Sequence, residues 1–274
     1  MTTTEVYPQT PVVVVEPNLA MRVRRAGQDT ITVLWRDMIR TTRQPEMLVF
    51  AVVMGVFFLL LFNYVFGGVI GAGAGLDYLQ YLLPGVLVIT ALQGAQQTSL
   101  GLAADFTEGV NDRFRSLPMS RSAVIAGRTF ADALRNVAGM VLVALVGMLM
   151  GFRFASFGGA IAAIAIATGI GYAFSWLGAS LAAKIRQPDM VGMLSMFWLF
   201  PLMLASTAFA PVETMPGWLQ PFVTYQPISA ASDAVRGLAN GIPVRDDIVL
   251  TLVWIVVLLA TFVPLSVRLY RKVD

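Results

Sequence analysis

Six stretches of this sequence are long, apolar and free of Asp, Glu, Lys and Arg through their centres: residues 47–67, 79–104, 133–152, 157–183, 190–210 and 248–267. About 20 apolar residues, rising 1.5 Å each, cross the roughly 30 Å hydrocarbon core of a bilayer. Inside that core no water satisfies a free N–H or C=O, so each stretch must close its own hydrogen bonds as a helix; the alternating pattern of barrel strands does not occur. The expected fold is therefore an all-α polytopic membrane protein with six transmembrane helices. Composition agrees: 57% of residues are hydrophobic and 13% charged, against roughly 25% charged in soluble domains. The third helix has room to start earlier, because residues 122–135 are helical in pattern but carry Arg128, Asp132 and Arg135 and so emerge at the interface.

The remaining segments set the orientation. Residues 1–26 form a flexible tail rich in Thr, Val and Pro, without the charged start, apolar core and small-residue cleavage site of a signal peptide. The membrane domain occupies residues 27–274. Near its start, Ile31, Leu34, Trp35 and Met38 make an apolar stripe while Arg36, Arg40 and Arg43 follow another, the pattern of a helix lying in the headgroup layer and ending near Pro45; a soluble helix packed on a partner has the same pattern. One set of loops and ends holds Arg22, Arg24, Arg25, Arg36, Arg40, Arg43, Arg113, Arg115, Arg121, Arg128, Arg135, Lys184, Arg186, Arg268, Arg271 and Lys272; the other holds Arg153, Arg236 and Arg245. By the positive-inside rule both termini are cytoplasmic. The small net charge of +3 reports topology and not nucleic-acid binding.

Between the second and third apolar stretches lies DFTEGVNDRFRSLPMSR, residues 105–121, with Asp105, Glu108, Asp112, Arg113, Arg115 and Arg121. Each such charge costs roughly 2.5–3.5 kcal/mol at a bilayer centre, so the segment lies outside the membrane on the cytoplasmic side. Val110, Phe114 and Leu117 recur at helical spacing up to Pro118, which reads as a short amphipathic helix presenting one face to a partner protein or to the membrane surface. A basic loop that only sets topology accounts for the same charges.

What is missing excludes much chemistry. There is no Cys and no His, which removes disulfides, thiolate metal sites and the commonest general base. Lys184 follows Ala183 and Lys272 follows Arg271, so no P-loop cradles ATP on this chain. Ion-coupled carriers place ionisable groups within their spans, and these span centres have none. A membrane enzyme would be left with interface or outer acids such as Asp105, Glu108, Glu213 and Asp233.

The polar groups within the spans are Asn63 in the first and Thr90, Gln93, Gln96, Gln97, Thr98 and Ser99 in the second. Gln93 and Gln97 stand one turn apart and so point the same way. We take Asn63, Thr90, Gln93 and Gln97 as candidates for a substrate path; interhelical hydrogen bonds explain the same residues. In the fourth span Ala163, Ala167, Gly171, Ser175, Ala179 and Ala183 place a small residue at every fourth position, a surface for close helix approach or a by-product of an Ala- and Gly-rich run. Residues 68–77 are Gly-rich and read as a flexible turn. Residues 211–241 are broken by Pro216, Pro221 and Pro227 and carry Trp218, Phe222 and Tyr225, aromatics suited to the membrane interface. This outer segment is able to dip back into the membrane without crossing, as a lid over an exit or as an aromatic anchor.

The order of these parts resembles the ABC-2 type permease family, and Glu108–Gly109, DRFRSLP at 112–118, PGWLQPF at 216–222 and QPIS at 226–229 are similar to its daunorubicin/doxorubicin-resistance type of drug and lipid exporters. The resemblance covers the chain from about Gly27 onward. It implies a multi-pass permease of a bacterial cell membrane, paired with a second copy or a homologous sister permease and with two copies of a separate ABC ATPase that binds Mg-ATP; no cofactor or metal is expected on this chain. Thr107, Glu108, Gly109, Asn111, Asp112, Arg113, Phe114, Arg115, Ser116, Leu117 and Pro118 would form the coupling helix that rests on the ATPase. The outer re-entrant helices would correspond to residues 212–225 and 227–238, with Pro216, Trp218, Phe222, Tyr225 and Pro227 among them. The implied activity is ATP-driven export of a hydrophobic or amphiphilic drug or lipid. A polysaccharide-type exporter is the nearest alternative, and a non-transporting membrane scaffold fits the spans but gives no reason for the amides of the second one.

Overall fold

The computed structural model describes residues 46–71, 77–107 and 121–271. The expected interfacial helix and residues 108–118 of the expected coupling helix lie outside them. Thr107 is described and exposed, its hydroxyl donating to the Ala104 carbonyl at 2.8 Å. Helix α1 runs Glu46–Leu61 and continues as a π-helical segment Phe62–Gly71. Then follow α2 (Tyr78–Thr107), α3 (Arg121–Leu149), α4 (Phe157–Ile185), α5 (Pro188–Leu204), α6 (Gln220–Tyr225), α7 (Pro227–Asn240) and α8 (Arg245–Arg271). Among the described residues every regular element is helical. Four stretches are long and apolar enough to cross a membrane, Tyr78–Thr107, Thr129–Leu149, Phe157–Ile185 and Arg245–Leu269; Val52–Val65 and Pro188–Leu204 are shorter apolar helices.

Boundaries follow local chemistry. Ser156 caps α4, its Oγ accepting from Gly159 N–H at 2.9 Å, and Arg186 closes the helix in the left-handed conformation at φ 61°. Pro188 opens α5, where its missing N–H costs nothing. Among the boundaries that differ from the sequence reading, three bear on the packing. The π-helical segment carries α1 to Gly71, so the first residues of the expected Gly-rich turn are helical. Helix α3 begins at Arg121, the earlier start that the helical pattern of 122–135 allowed. Helix α5 stops at Leu204, six residues short of the expected 210, because the carbonyls that follow are claimed from elsewhere: Thr207 O accepts from Tyr81 OH at 2.7 Å and Phe209 O from Tyr78 OH at 2.9 Å.

Helix α2 is the centre of the bundle. It touches α1, α3, α4, α5 and α7, and its most apolar window is 78% buried where that of α8 is 11%. The small residues of α4 line its buried face: Ala163, Ala167, Gly171, Ser175, Ala179 and Ala183 are all buried. A Cβ on Gly171 would stand 2.9 Å from the Ala91 carbonyl oxygen, and one on Gly178 would overlap Ser99 Oγ. The spacing is therefore the contact that lets α4 lie against the backbone of α2. Large apolar side chains remain exposed along α1 (Val53, Phe57), α3 (Leu145, Leu149), α5 (Met193, Phe197) and α8 (Val253, Val256), a perimeter suited to hydrocarbon and not to water.

Candidate functional site: an amide-lined cavity and the clamp beside it

Between α1, α2 and α5 lies a cavity of about 240 Å³, lined by Met54, Phe58, Gln93, Gln96, Gln97, Met196, Leu199, Phe200 and Met203. Its walls are thioethers, aromatic rings and aliphatic carbons, with three carboxamides along one side. Residues 93, 96 and 97 share a face of α2 because they lie three and four positions apart. None of the hydrogen bonds among the described residues engages these amides, so they are not spent on neighbouring helices. No ionisable side chain lines the space. Methionines and aromatic rings adapt to apolar bodies of varied shape, while uncharged amides orient a polar group without demanding a counter-ion.

The volume exceeds the roughly 150 Å³ that accommodates benzene and falls below the roughly 300 Å³ at which drug-sized pockets begin. It has room for one apolar portion of a larger molecule. One end abuts an aromatic stack: Phe62 and Phe209 lie face to face with centroids 4.2 Å apart, and Phe58, which also lines the cavity, packs 6.1 Å from Phe209.

The residues predicted for the path divide. Gln93 and Gln97 line this one space. Thr90 does not: its hydroxyl donates to the Val86 carbonyl at 2.8 Å, and its Oγ1 would stand 3.0 Å from a Cβ on Gly55 of α1. Asn63 is half-buried on the π-helical segment and is not part of the lining. Gln96, grouped in sequence with the other polar residues of α2 but not chosen, belongs with them; its three-residue offset from Gln93 was the available signal. The α1 and α5 walls carried no signal, because Met and Phe in an apolar run look alike whether they face lipid, core or cavity.

Beside this cavity, the segment between α5 and α8 folds back onto the bundle. Gln226, buried between α6 and α7, donates from Nε2 to the Ala205 carbonyl at 3.0 Å and the Leu202 carbonyl at 3.3 Å, while its Oε1 accepts from Ile228 N–H at 3.3 Å. One side chain thus satisfies the free carbonyls ending α5 and caps the start of α7. Arg236 of α7 donates through Nε to the Tyr81 carbonyl at 3.1 Å and through Nη2 to the Thr207 carbonyl at 2.7 Å. Its guanidinium sits 3.6 Å over the Tyr81 ring and pairs with Asp233, which also accepts from Thr207 Oγ1 at 2.9 Å. Burial pushes the Asp233 carboxyl above the usual carboxylate range, and Arg236 opposes that shift. Finally, Asn240 Nδ2 donates at 3.2 Å to the Gln80 carbonyl, which Pro84 leaves without its usual N–H donor. The outer segment is therefore held to the first turns of α2 by the Gln80 and Tyr81 carbonyls together with the Tyr78 and Tyr81 side chains.

Pro216 and the aromatics Trp218, Phe222 and Tyr225 are exposed, and Pro227 stands in the first turn of α7. The Tyr225 carbonyl accepts from Trp254 Nε1 of α8 at 2.9 Å.

A bundle of apolar helices with an uncharged, amide-lined cavity open to its perimeter defines a polytopic membrane protein of the permease class. The chain belongs to the ABC-2 type transporter family, whose profile matches residues 28–239. It is 39% identical over 244 residues to the daunorubicin resistance ABC transporter permease protein DrrB1 of Streptomyces coeruleorubidus, covering 89% of this chain and 86% of that one. It is 29% identical to the doxorubicin resistance ABC transporter permease protein DrrB of Mycobacterium tuberculosis, over 70% of this chain and 67% of the relative. A putative transport permease, ycf38, of Cyanophora paradoxa is 25% identical over 77% of this chain and 74% of its own length. The chain is thus a permease subunit of an ABC-2 type transporter, a multi-pass membrane protein and not an enzyme, with ATP hydrolysis residing on a separate ABC ATPase.

Proposed function

We propose that this chain forms the membrane path of an ATP-driven exporter carrying a hydrophobic or amphiphilic drug or lipid out of a bacterial cell. The observation that supports this most directly is the cavity between α1, α2 and α5, apolar on most sides, lined by three uncommitted amides and free of ionisable groups. Such a lining suits cargo with an apolar body and a few hydrogen-bonding groups. A polysaccharide would need polar contacts along its whole length, which three amides do not supply. A passive scaffold gives no reason for three half-buried amides, unbonded to neighbouring helices, along one side of an apolar cavity.

In this reading both termini and residues 105–121 face the cytoplasm, two permease copies or a copy and a sister chain pair in the membrane, and two ATPase subunits bind beneath them. ATP binding closes the ATPase pair, the segment from Thr107 at the end of α2 to Pro118 transmits the movement, and the spans rearrange to expose the cavity outward. Phe114 is the buried anchor of that contact and Arg113 and Arg115 set its register from the rim. Relatives named for daunorubicin and doxorubicin resistance make daunorubicin the first cargo to try. The test is energised efflux of daunorubicin from cells expressing this chain with the ABC ATPase encoded nearest to it. Efflux that requires both chains supports the proposal; unchanged accumulation with both chains abundant contradicts it.

A further inference from the structure

Behind the cavity wall formed by Gln96 and Leu199 lies a second, much smaller space of about 10 Å³, bordered by Leu92, Ser99, Phe174, Ser195 and Trp198 and sharing those two residues with the larger one. About one oxygen atom or one water fits there. Ser195 is 2% exposed and its Oγ has no hydrogen-bond partner. Trp198 Nε1 is likewise buried and unpartnered. Ser99 is not available, because its hydroxyl already donates to the Ala95 carbonyl at 2.9 Å. Leaving two such donors unsatisfied in an apolar interior costs about 1–3 kcal/mol each, and both belong to residues that border this one small space, which points to a ligand atom there. The Trp198 ring is held in place by stacking on Phe174, with centroids 5.8 Å apart and planes 11° from parallel, so its N–H is preorganised.

The chemistry of the orphaned groups names what they take. An indole N–H only donates, and a serine hydroxyl donates readily; the atom that satisfies both is an acceptor oxygen. A cation gains nothing from them, and no carboxylate lines either space. We infer that Ser195 and Trp198, with Gln96 at the threshold, form a polar recess that takes an amphiphile by an uncharged carbonyl, quinone, ester or ether oxygen inserted beyond the apolar cavity. This deepens the permease reading and rests on it for the identity of the occupant as cargo.

Equilibrium binding of radiolabelled anthraquinone and anthracene to the full chain in lipid nanodiscs tests the recess. The probes share a three-ring frame and differ in two carbonyl oxygens, and empty nanodiscs of the same lipid correct for partition. Wild type is expected to prefer anthraquinone roughly fivefold to tenfold, the yield of about one net hydrogen bond. Ser195→Ala and Trp198→Phe are each expected to bring that ratio close to one while anthracene binding stays unchanged, which also shows that the variants are folded. Met193→Ala, on the exposed face of α5, leaves the ratio as in wild type. Equal binding of the two probes by wild type, or a ratio that survives in both variants, overturns the inference and leaves the recess holding an ordered water only. Binding is read without ATP or a partner chain. An intact, variant-sensitive ratio therefore supports the recess even where daunorubicin efflux fails, and a ratio of one overturns it even where efflux succeeds.

Discussion

Single atoms decide how closely these helices approach. A Cβ on Gly85 would overlap the backbone of Ala208, which has no rotamer to change. Gly85→Ala is expected to lose about 1–3 kcal/mol, read as a clearly lowered thermal unfolding temperature in detergent. Gly158, exposed in the first turn of α4 with nothing within 4 Å of its Cβ position, should accept alanine without loss. The same scale separates the polar residues of α2. Thr90 is turned to its own helix while Gln93, Gln96 and Gln97 meet an open space, a distinction that residue type does not carry. Spacing alone made the Gln93 and Gln97 pair legible, because four residues are one turn; it said nothing of which neighbour that turn would face.

At the scale of elements, Gln226 joins α5 to α7 and Arg236 joins α7 to α2. Gln226→Leu removes the donor to the last carbonyls of α5 in a buried setting; it is expected to cost about 1–3 kcal/mol and to raise amide hydrogen exchange at the end of α5 and the start of α7 before elsewhere. Asp233 gives a sign that can be checked. Burial raises its folded pKa above the ordinary carboxylate value, so between the two values the folded state holds more proton than the unfolded one, and stability falls as pH rises through that window. The stability of wild type relative to Asp233→Asn should therefore decline from acidic toward neutral pH, as read from paired thermal melts; a difference that grows with pH would contradict the assignment. Sequence showed the prolines that break this segment and the small residues of α4 that pack on α2. It did not show where α5 ends, because the donors that end it, Gln226, Tyr81, Tyr78 and Arg236, come from more than 20 residues away. Local pattern extends an apolar run until its own composition changes.

For the whole molecule, membrane character was the most legible property, since uncharged runs of spanning length leave the backbone few alternatives. The cavity was the least legible, because it forms only where α1, α2 and α5 converge and two of those helices contribute residues that any apolar span contains. If residues 105–121 carry the drive from the ATPase, Arg113→Glu/Arg115→Glu should abolish co-purification with the ATPase and permease-stimulated ATP hydrolysis while leaving membrane insertion intact; association insensitive to that change would move the contact elsewhere. The claim that the amide-lined cavity is the cargo path is tested most directly by ATP-dependent daunorubicin uptake into inverted vesicles containing this chain and its ATPase, wild type against Gln93→Leu/Gln97→Leu. The cavity account requires at least about a tenfold loss of uptake in the double variant, the effect of roughly 1.4 kcal/mol, at equal abundance and with ATPase association retained. Uptake equal to wild type would place the path elsewhere in the molecule.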